Sequence, residues 1–352
     1  MNKMKGWFLG HRVAIIIASF SIVLFILILL GLVVGSSNLT LAEVFQGLFR
    51  TGEHKNEVII YNIRLPRLLA ALIAGSGLAI SGAVMQANLK NPMASPTSLG
   101  VSNAAVLGAN IAIIVLNGGV IFTNHGNAWP VDNPYFTSFI AFIFSLIAIA
   151  VVLIIARFTK LNPTSIILIG VAMSFFFSGV TSLIQYYASD IQLSSAIYWS
   201  FGDLNRATYE DDLIMLIVIV IASVFFLLMA NRYNAMTLGD NNAKSLGINV
   251  NLLRVISLVL SSLITSICVS LLGIIGFLGI IAPQLARRLI GGNHKILLPL
   301  TMIIGAVILL AADILSRLIM NGISLPVGAI TSIIGAPFFI VIILLNRREA
   351  NA

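Results

Sequence analysis

The stretch "VAIIIASFSIVLFILILLGLVV", Val13–Val34, decides the fold: it runs 22 residues without a charge. A helix needs about 20 apolar residues to cross the ~30 Å hydrocarbon core of a bilayer, and this segment supplies them. Working outward, similar runs recur through a chain of 352 residues that is 59% hydrophobic and only 9% charged. That composition excludes an ordinary soluble domain. Lipid offers no partner to a bare amide, and the runs are far longer than the alternating ten-residue strands of a barrel, so the spans are helices. The fold class is an all-α integral membrane protein.

Ten spans are predicted, near residues 13–34, 67–86, 100–122, 136–156, 164–187, 213–230, 252–272, 274–290, 296–317 and 325–345. The seventh and eighth share a run of 32 uncharged residues, Val255 to Ala286. As one helix this run would measure roughly 48 Å at ~1.5 Å per residue, too long for one crossing and short for two. The glycines of "GIIGFLG" supply a break, so two crossings with partly helical, protein-buried connections are expected.

Charge then sets the orientation. With ten spans and the amino terminus inside, fourteen Lys and Arg fall on the cytoplasmic side and six outside, namely Arg50, Lys55, Arg64, Arg67, Arg206 and Arg317. This obeys the positive-inside rule and makes both termini cytoplasmic. Residues 1–352 form one transmembrane domain, within which 232–251 is the longest cytoplasmic loop. The net charge of +8 is scattered over short loops rather than gathered in a stripe, so nucleic acid is not the expected partner. The first span has a basic start but exceeds a signal-peptide core and is expected to be retained. A single cysteine, Cys268, allows no internal disulfide and no metal spacing. The four histidines sit in loops or at the amino terminus, with no pattern for metal or acid–base work, so no catalytic residues and no metal site are expected.

Four segments stand out. "AGSGLAISGA", with Gly75, Ala79 and Gly82, reads as a close-packing stripe. The inner loops "NLKNPMASPTSLGVSNA" and "KLNPTS" break helix at the membrane edge, near the inner mouth of any pathway. "DNNAKSLG" reads as a short helix with Asp240 as N-cap and Gly247 as its stop, either gripped by a soluble partner or lying passively on lipid. On the outer side Arg317 lies four residues after Asp313 and is placed to pair with it. Arg64 and Arg67 have no such local acid. They either reach lipid phosphates or form an outward patch that captures partner carboxylates with their planar forks.

From about Arg64 onward the chain resembles the ten-span type II permease subunits of ATP-binding-cassette importers for iron-siderophore, haem and cobalamin. The likeness rests on "RLPRLLAALIAGSGLAISGAVMQANLKNPMASPTSLGVSNA", "LGDNNAKSLGI", "GIIGFLGIIAPQLARRLIG", "LLPLTMIIGAVILLAADILSRL" and "LPVGAITSIIGAPFFI", in that order. The resemblance implies a bacterial cytoplasmic-membrane location and a pairing with a second permease, identical or paralogous, around a central pathway. It implies two ATPase subunits and an extracytoplasmic substrate-binding protein. Arg64, Arg67 and Arg317 match positions that dock the binding protein through its glutamates. Leu238, Gly239, Asp240, Ala243, Leu246 and Gly247 match the element that couples to the ATPase. Asn91 and Met93, with Thr164 and Ser165, would form the cytoplasmic gate. The chain departs from the family in reading Gln284 after Pro283, where histidine is frequent, and Ala104 where glycine is common. It has no G-x-x-x-x-G-K-[ST] loop, so ATP and Mg are expected on the partner, with no cofactor held here. The rival reading, an ion-coupled secondary transporter, needs ionisable groups near the midplane, whereas the spans offer only Asp313 near an outer end.

Overall fold

The computed structural model describes residues 2–35, 37, 39–116, 121–122, 128–129, 134–319 and 325–350. The chain opens with α1 (Asn2–Val33), passes through short helices α2 (Leu41–Leu48) and α3 (His54–Ile59), and enters α4 (Leu65–Leu89) by one π-helical turn, Ile60–Arg64. Next come α5 (Val101–Asn110), prolonged by a π turn to Val115, then a two-residue antiparallel ribbon, β1 (Ile121–Phe122) with β2 (Ala128–Trp129). Helices α6 (Pro134–Phe158), α7 (Pro163–Tyr186), α8 (Asp190–Ser200) and α9 (Tyr209–Leu228) follow. The remainder is α10 (Ala230–Thr237), α11 (Asp240–Ser245), α12 (Val250–Leu272), α13 (Leu278–Ile290), α14 (His294–Ile319) and α15 (Val327–Ala350).

The ten expected spans correspond to α1, α4, α5, α6, α7, α9, α12, α13, α14 and α15. Among the described residues, seven helices are long and apolar enough to cross a membrane, and α5 and α15 are shorter apolar ones. The third span's helix stops at Val115; of the rest of that expected segment, residues 117–120 lie outside the described residues. Helix α8 was not expected. It is short and polar enough to escape a search for spans, yet it buries Ala196 and Trp199.

Helix α4 is the centre of the bundle: most of its residues are buried, whereas among the described side chains of α1 only Gly31 and Leu32 are. Close packing explains its glycines. A Cβ at Gly82 would lie 1.8 Å from the Gly279 carbonyl, and one at Gly305 would lie 2.3 Å from that of Gly75. The stripe therefore seats α13 and α14 directly on the α4 backbone, where in lipid van der Waals contact is the main cohesive force.

The long uncharged run resolves into α12, a five-residue break and α13. At 13 residues α13 measures only about 20 Å, less than a bilayer core. The break compensates because its backbone is satisfied inside the protein, as lipid demands. Ile274 N–H donates to the Ser200 carbonyl at 3.3 Å and Asp203 N–H to Leu272 at 2.9 Å. Gly202 then accepts from Gly328 N–H at 3.2 Å, which ties the start of α15 to the same crossing.

Candidate functional site

The contacts sort the charged residues into two ends, as the charge count expects. At the outer end Asp313 is fully buried between two guanidinium groups. Arg67 Nε donates to Asp313 Oδ1 at 2.6 Å, and Arg317 pairs with Oδ2 one helical turn along α14. Arg67 reaches Asn205 and, at 3.2 Å, Ser316 Oγ. Arg317 donates to the carbonyls of Gly31 at 2.9 Å and Val34 at 2.8 Å. Arg64 takes Leu32, Val33 at 2.9 Å, and both oxygens of Ser37. The last turn of α1 leaves carbonyls without intrahelical partners, and cations are favoured at that negative end of the helix dipole. Arg64 and Arg317 therefore cap α1 and fix its outer end to the body.

The expectation of an outward fork thus meets a different geometry. The guanidinium groups of Arg64, Arg67 and Arg317 are turned inward and occupied, and Arg64 and Arg67 are 3% and 5% exposed. Their long-range partners were invisible in sequence, since Arg67 and Asp313 stand 246 residues apart. Arg67 and Arg317 share the one carboxylate of Asp313, while Arg64 is held by carbonyls and Ser37 alone.

At the inner end, α11 forms a small protrusion. It opens at Gly239, whose φ of +121° favours glycine, so Asp240 is the first helical residue and not the N-cap. Its carboxylate instead leaves the helix to meet Lys90 Nζ at 2.7 Å and Arg254 Nη2 at 2.9 Å. Burial raises the Asp240 pKa, but the hydrogen bonds from Lys90 and Arg254 outweigh it and hold the carboxyl below its ordinary value. Gly247 does supply the stop. Its N–H donates to Lys244 at 2.9 Å and Ile248 N–H to Ala243 at 3.1 Å, the double closure of a Schellman turn. Ala243 packs inward with no exposure, while Leu238 and Leu246 flank the helix at 73% and 69% exposed.

The two inner loops share one device. Asn91 Oδ1 accepts from Met93 N–H at 2.8 Å, and Asn162 Oδ1 from Thr164 N–H at 3.0 Å, so each Asn–Pro pair pins its own turn. Met93 is exposed, Thr164 exposed, and Asn91 and Ser165 half-buried. The first loop then folds back into the body: Leu99 is buried against Gly170 of α7. Gln284 donates to the Pro92 carbonyl at 3.0 Å, which ties this loop to α13, and Arg287 donates to Gln86 of α4. Arg254, 1% exposed, lies between the loops. Its Nε donates to Asn88 O at 3.1 Å and its Nη1 to Leu161 O at 3.2 Å. Sequence reasoning used Arg254 and Lys90 only as topology markers. The available signal was a lone arginine near the start of an otherwise uncharged helix.

A multi-pass helical permease, with a charged outer end and a protruding inner helix, is the class that this architecture defines. The model of the FecCD transport family matches residues 23–345, and the chain belongs to that family. It is 44% identical to a protein of Methanocaldococcus jannaschii described as an ABC transporter permease, over 92% of each chain. It is 34% identical to the hemin transport system permease of Yersinia pestis, over 93% of this chain and 96% of that one. Other relatives are named for import of ferric citrate in Bacillus subtilis, molybdate in Haemophilus influenzae and cobalamin in Halobacterium salinarum. Among solved structures, an inward-facing ABC transporter described as metal-chelate type superposes with a TM-score of 0.80. It is 29% identical, with 94% of this chain and 99% of that one covered. The protein is therefore a multi-pass integral membrane permease of ABC-importer type.

Proposed function

We propose that this chain passes an iron-siderophore complex across the cytoplasmic membrane by alternating access, driven by ATP hydrolysis on attached subunits. The observation that carries the reading is the α11 protrusion, a capped helix offering Leu238 and Leu246 to the cytoplasm. Exposed leucines on a rigid knob are the apolar face that a groove in a soluble subunit would cover. Two ATPase subunits would each take one such knob and hold the ATP and Mg; Gly239 and Gly247 set its bends, and Ala243 seats it. Asn91 and Met93, with Thr164 and Ser165, would close the inner mouth.

A second permease, identical or paralogous, fits against α7. That helix exposes Phe175, Gly179, Ser182 and Tyr186 along one face, and a Cβ at Gly179 would meet nothing within 4 Å. Small residues on a free helix face suit another helix better than lipid. A binding protein would dock on the outer end, over the local cluster of Arg64, Arg67 and Arg317, where three guanidinium groups lie near one carboxylate. Names of relatives favour an iron chelate, with haem or cobalamin as the alternative cargo for the same machinery.

The test is reconstitution. Vesicles holding this permease with its ATPase and binding protein should accumulate a ferric siderophore only when supplied with ATP. Accumulation by the permease alone on an ion gradient would refute the mechanism, and ATP-driven uptake of hemin with rejection of the siderophore would refute the cargo.

A further inference from the structure

We infer that Arg254 and Lys90 are positioning residues that transmit movement of α11 to both inner loops. The inference rests on the reading of α11 as the ATPase-gripped element. Three observations carry it.

First, Arg254 is among the largest fully buried side chains of the protein, and its three donor nitrogens go to three different places. Nε holds the Asn88 carbonyl, Nη1 the Leu161 carbonyl and Nη2 the Asp240 carboxylate. Asn88 precedes the Asn91–Met93 turn, and Leu161 precedes the Thr164–Ser165 turn. One guanidinium thus joins α11 to the roots of both loops. Packing alone does not require this: a guanidinium buried near the start of α12 needs acceptors for its donors.

Second, the bond to Leu161 lies at the wall of a cleft. A cleft of about 600 Å³ lies between the turn at 159–163 and α11, with Arg254 and Asp240 among its lining residues. The guanidinium therefore ties the 159–163 turn to α11 through its own hydrogen bonds, beside a cleft that packed side chains do not fill. A planar fork with fixed donor directions suits a rigid three-way link, which a lysine could not reproduce.

Third, Lys90 closes α4 in the left-handed region, at φ 50° and ψ 35°, which disfavours side chains other than glycine. A lysine kept there makes the second ion pair to Asp240, at the hinge between α4 and the Asn91–Met93 turn.

The experiment uses the complete transporter in vesicles and reads the amount of substrate imported per ATP hydrolysed, alongside capture of the ATPase by the permease. Arg254→Gln and Lys90→Gly should each assemble with the ATPase and hydrolyse ATP, yet lower the import-to-hydrolysis ratio by about tenfold, within the usual range of coupling between sites. Lys90→Arg should keep the ratio. Glycine accepts the left-handed backbone, so Lys90→Gly carries the test even where Arg254→Gln fails to fold. An unchanged ratio in Lys90→Gly overturns the inference, as does a Lys90→Arg variant as uncoupled as the glycine. Loss of the ATPase from Lys90→Gly overturns it too, because the residue would then serve the subunit contact itself. The underlying reading fails separately, if Leu238→Asp leaves the ATPase bound.

Discussion

Replacing Asp313 tests the outer ion network most directly. The residue is fully buried, and it is the carboxylate shared by Arg67 and Arg317, themselves 5% and 7% exposed at their side chains. Removing one partner of a buried pair costs roughly 3–5 kcal/mol, because a charge is stranded away from water. Both arginines keep neutral acceptors, Asn205 and Ser316 for one and the carbonyls of Gly31 and Val34 for the other. Asp313→Asn also retains an amide oxygen, so it belongs at the low end, ~3 kcal/mol, or about a hundredfold in the folded-to-unfolded ratio. Asp313→Ala belongs at the high end, ~5 kcal/mol. Arg317→Met leaves Arg67 and Asp313 together and should cost less, ~2 kcal/mol, the value of hydrogen bonds to a charged group. Unfolding in mixed micelles titrated with a denaturing detergent would measure the series. A loss below about 1 kcal/mol for Asp313→Asn would mean that water reaches the pair, as in exposed ion pairs, and would refute the reasoning.

Other predictions follow from separate features. Gly82→Ala should lower the thermal midpoint strongly, since its Cβ would collide with the Gly279 backbone, and overpacking of this kind costs about 1–3 kcal/mol or more; a folded variant with wild-type melting would contradict the packing. Leu238→Asp with Leu246→Asp should abolish ATPase capture in a pull-down while leaving the permease monodisperse. Docking of a binding protein on the Arg64, Arg67 and Arg317 cluster should weaken with ionic strength, the Debye length being about 8 Å at 0.15 M; salt-independent affinity would speak for apolar docking. The folded pKa of Asp240 lies below its ordinary value of about 3.9, so its link to Lys90 and Arg254 is complete above that value and lost only as pH falls through the lower folded one. Hydrogen exchange in α11 should therefore show protection unchanged between about pH 5 and 8, and a drop within that window would show that another group governs the site.

Much of the fold could be read from residue order. Run length, the positive-inside count and the glycine break yielded ten spans, because lipid leaves the backbone few options. The stripe at Gly75, Ala79 and Gly82 and the stop at Gly247 were equally plain, being local signals. The site was less legible. Arg64 and Arg67 looked outward because their acceptors, the end of α1 and Asp313, are remote in sequence. Asp240 looked like a cap because its true partners lie on α4 and α12. Arg254 passed as one more inner cation. Each miss concerns the direction of a charged side chain, which tertiary contacts decide and spacing does not.

The crossing at Gly202, Ile274 and Gly328 bears on how this protein can be altered. A Cβ at Gly202 or Gly328 would sit 2.3 or 2.1 Å from the Ile274 carbonyl, so three distant segments touch there backbone to backbone. A fluorophore site, an epitope insertion or a circular permutation placed near residues 198–203 would strip unpaired amides bare in a water-poor setting. Grafting α13 into another scaffold would demand transplanting the 200–203 stretch with it, since neither piece is self-sufficient.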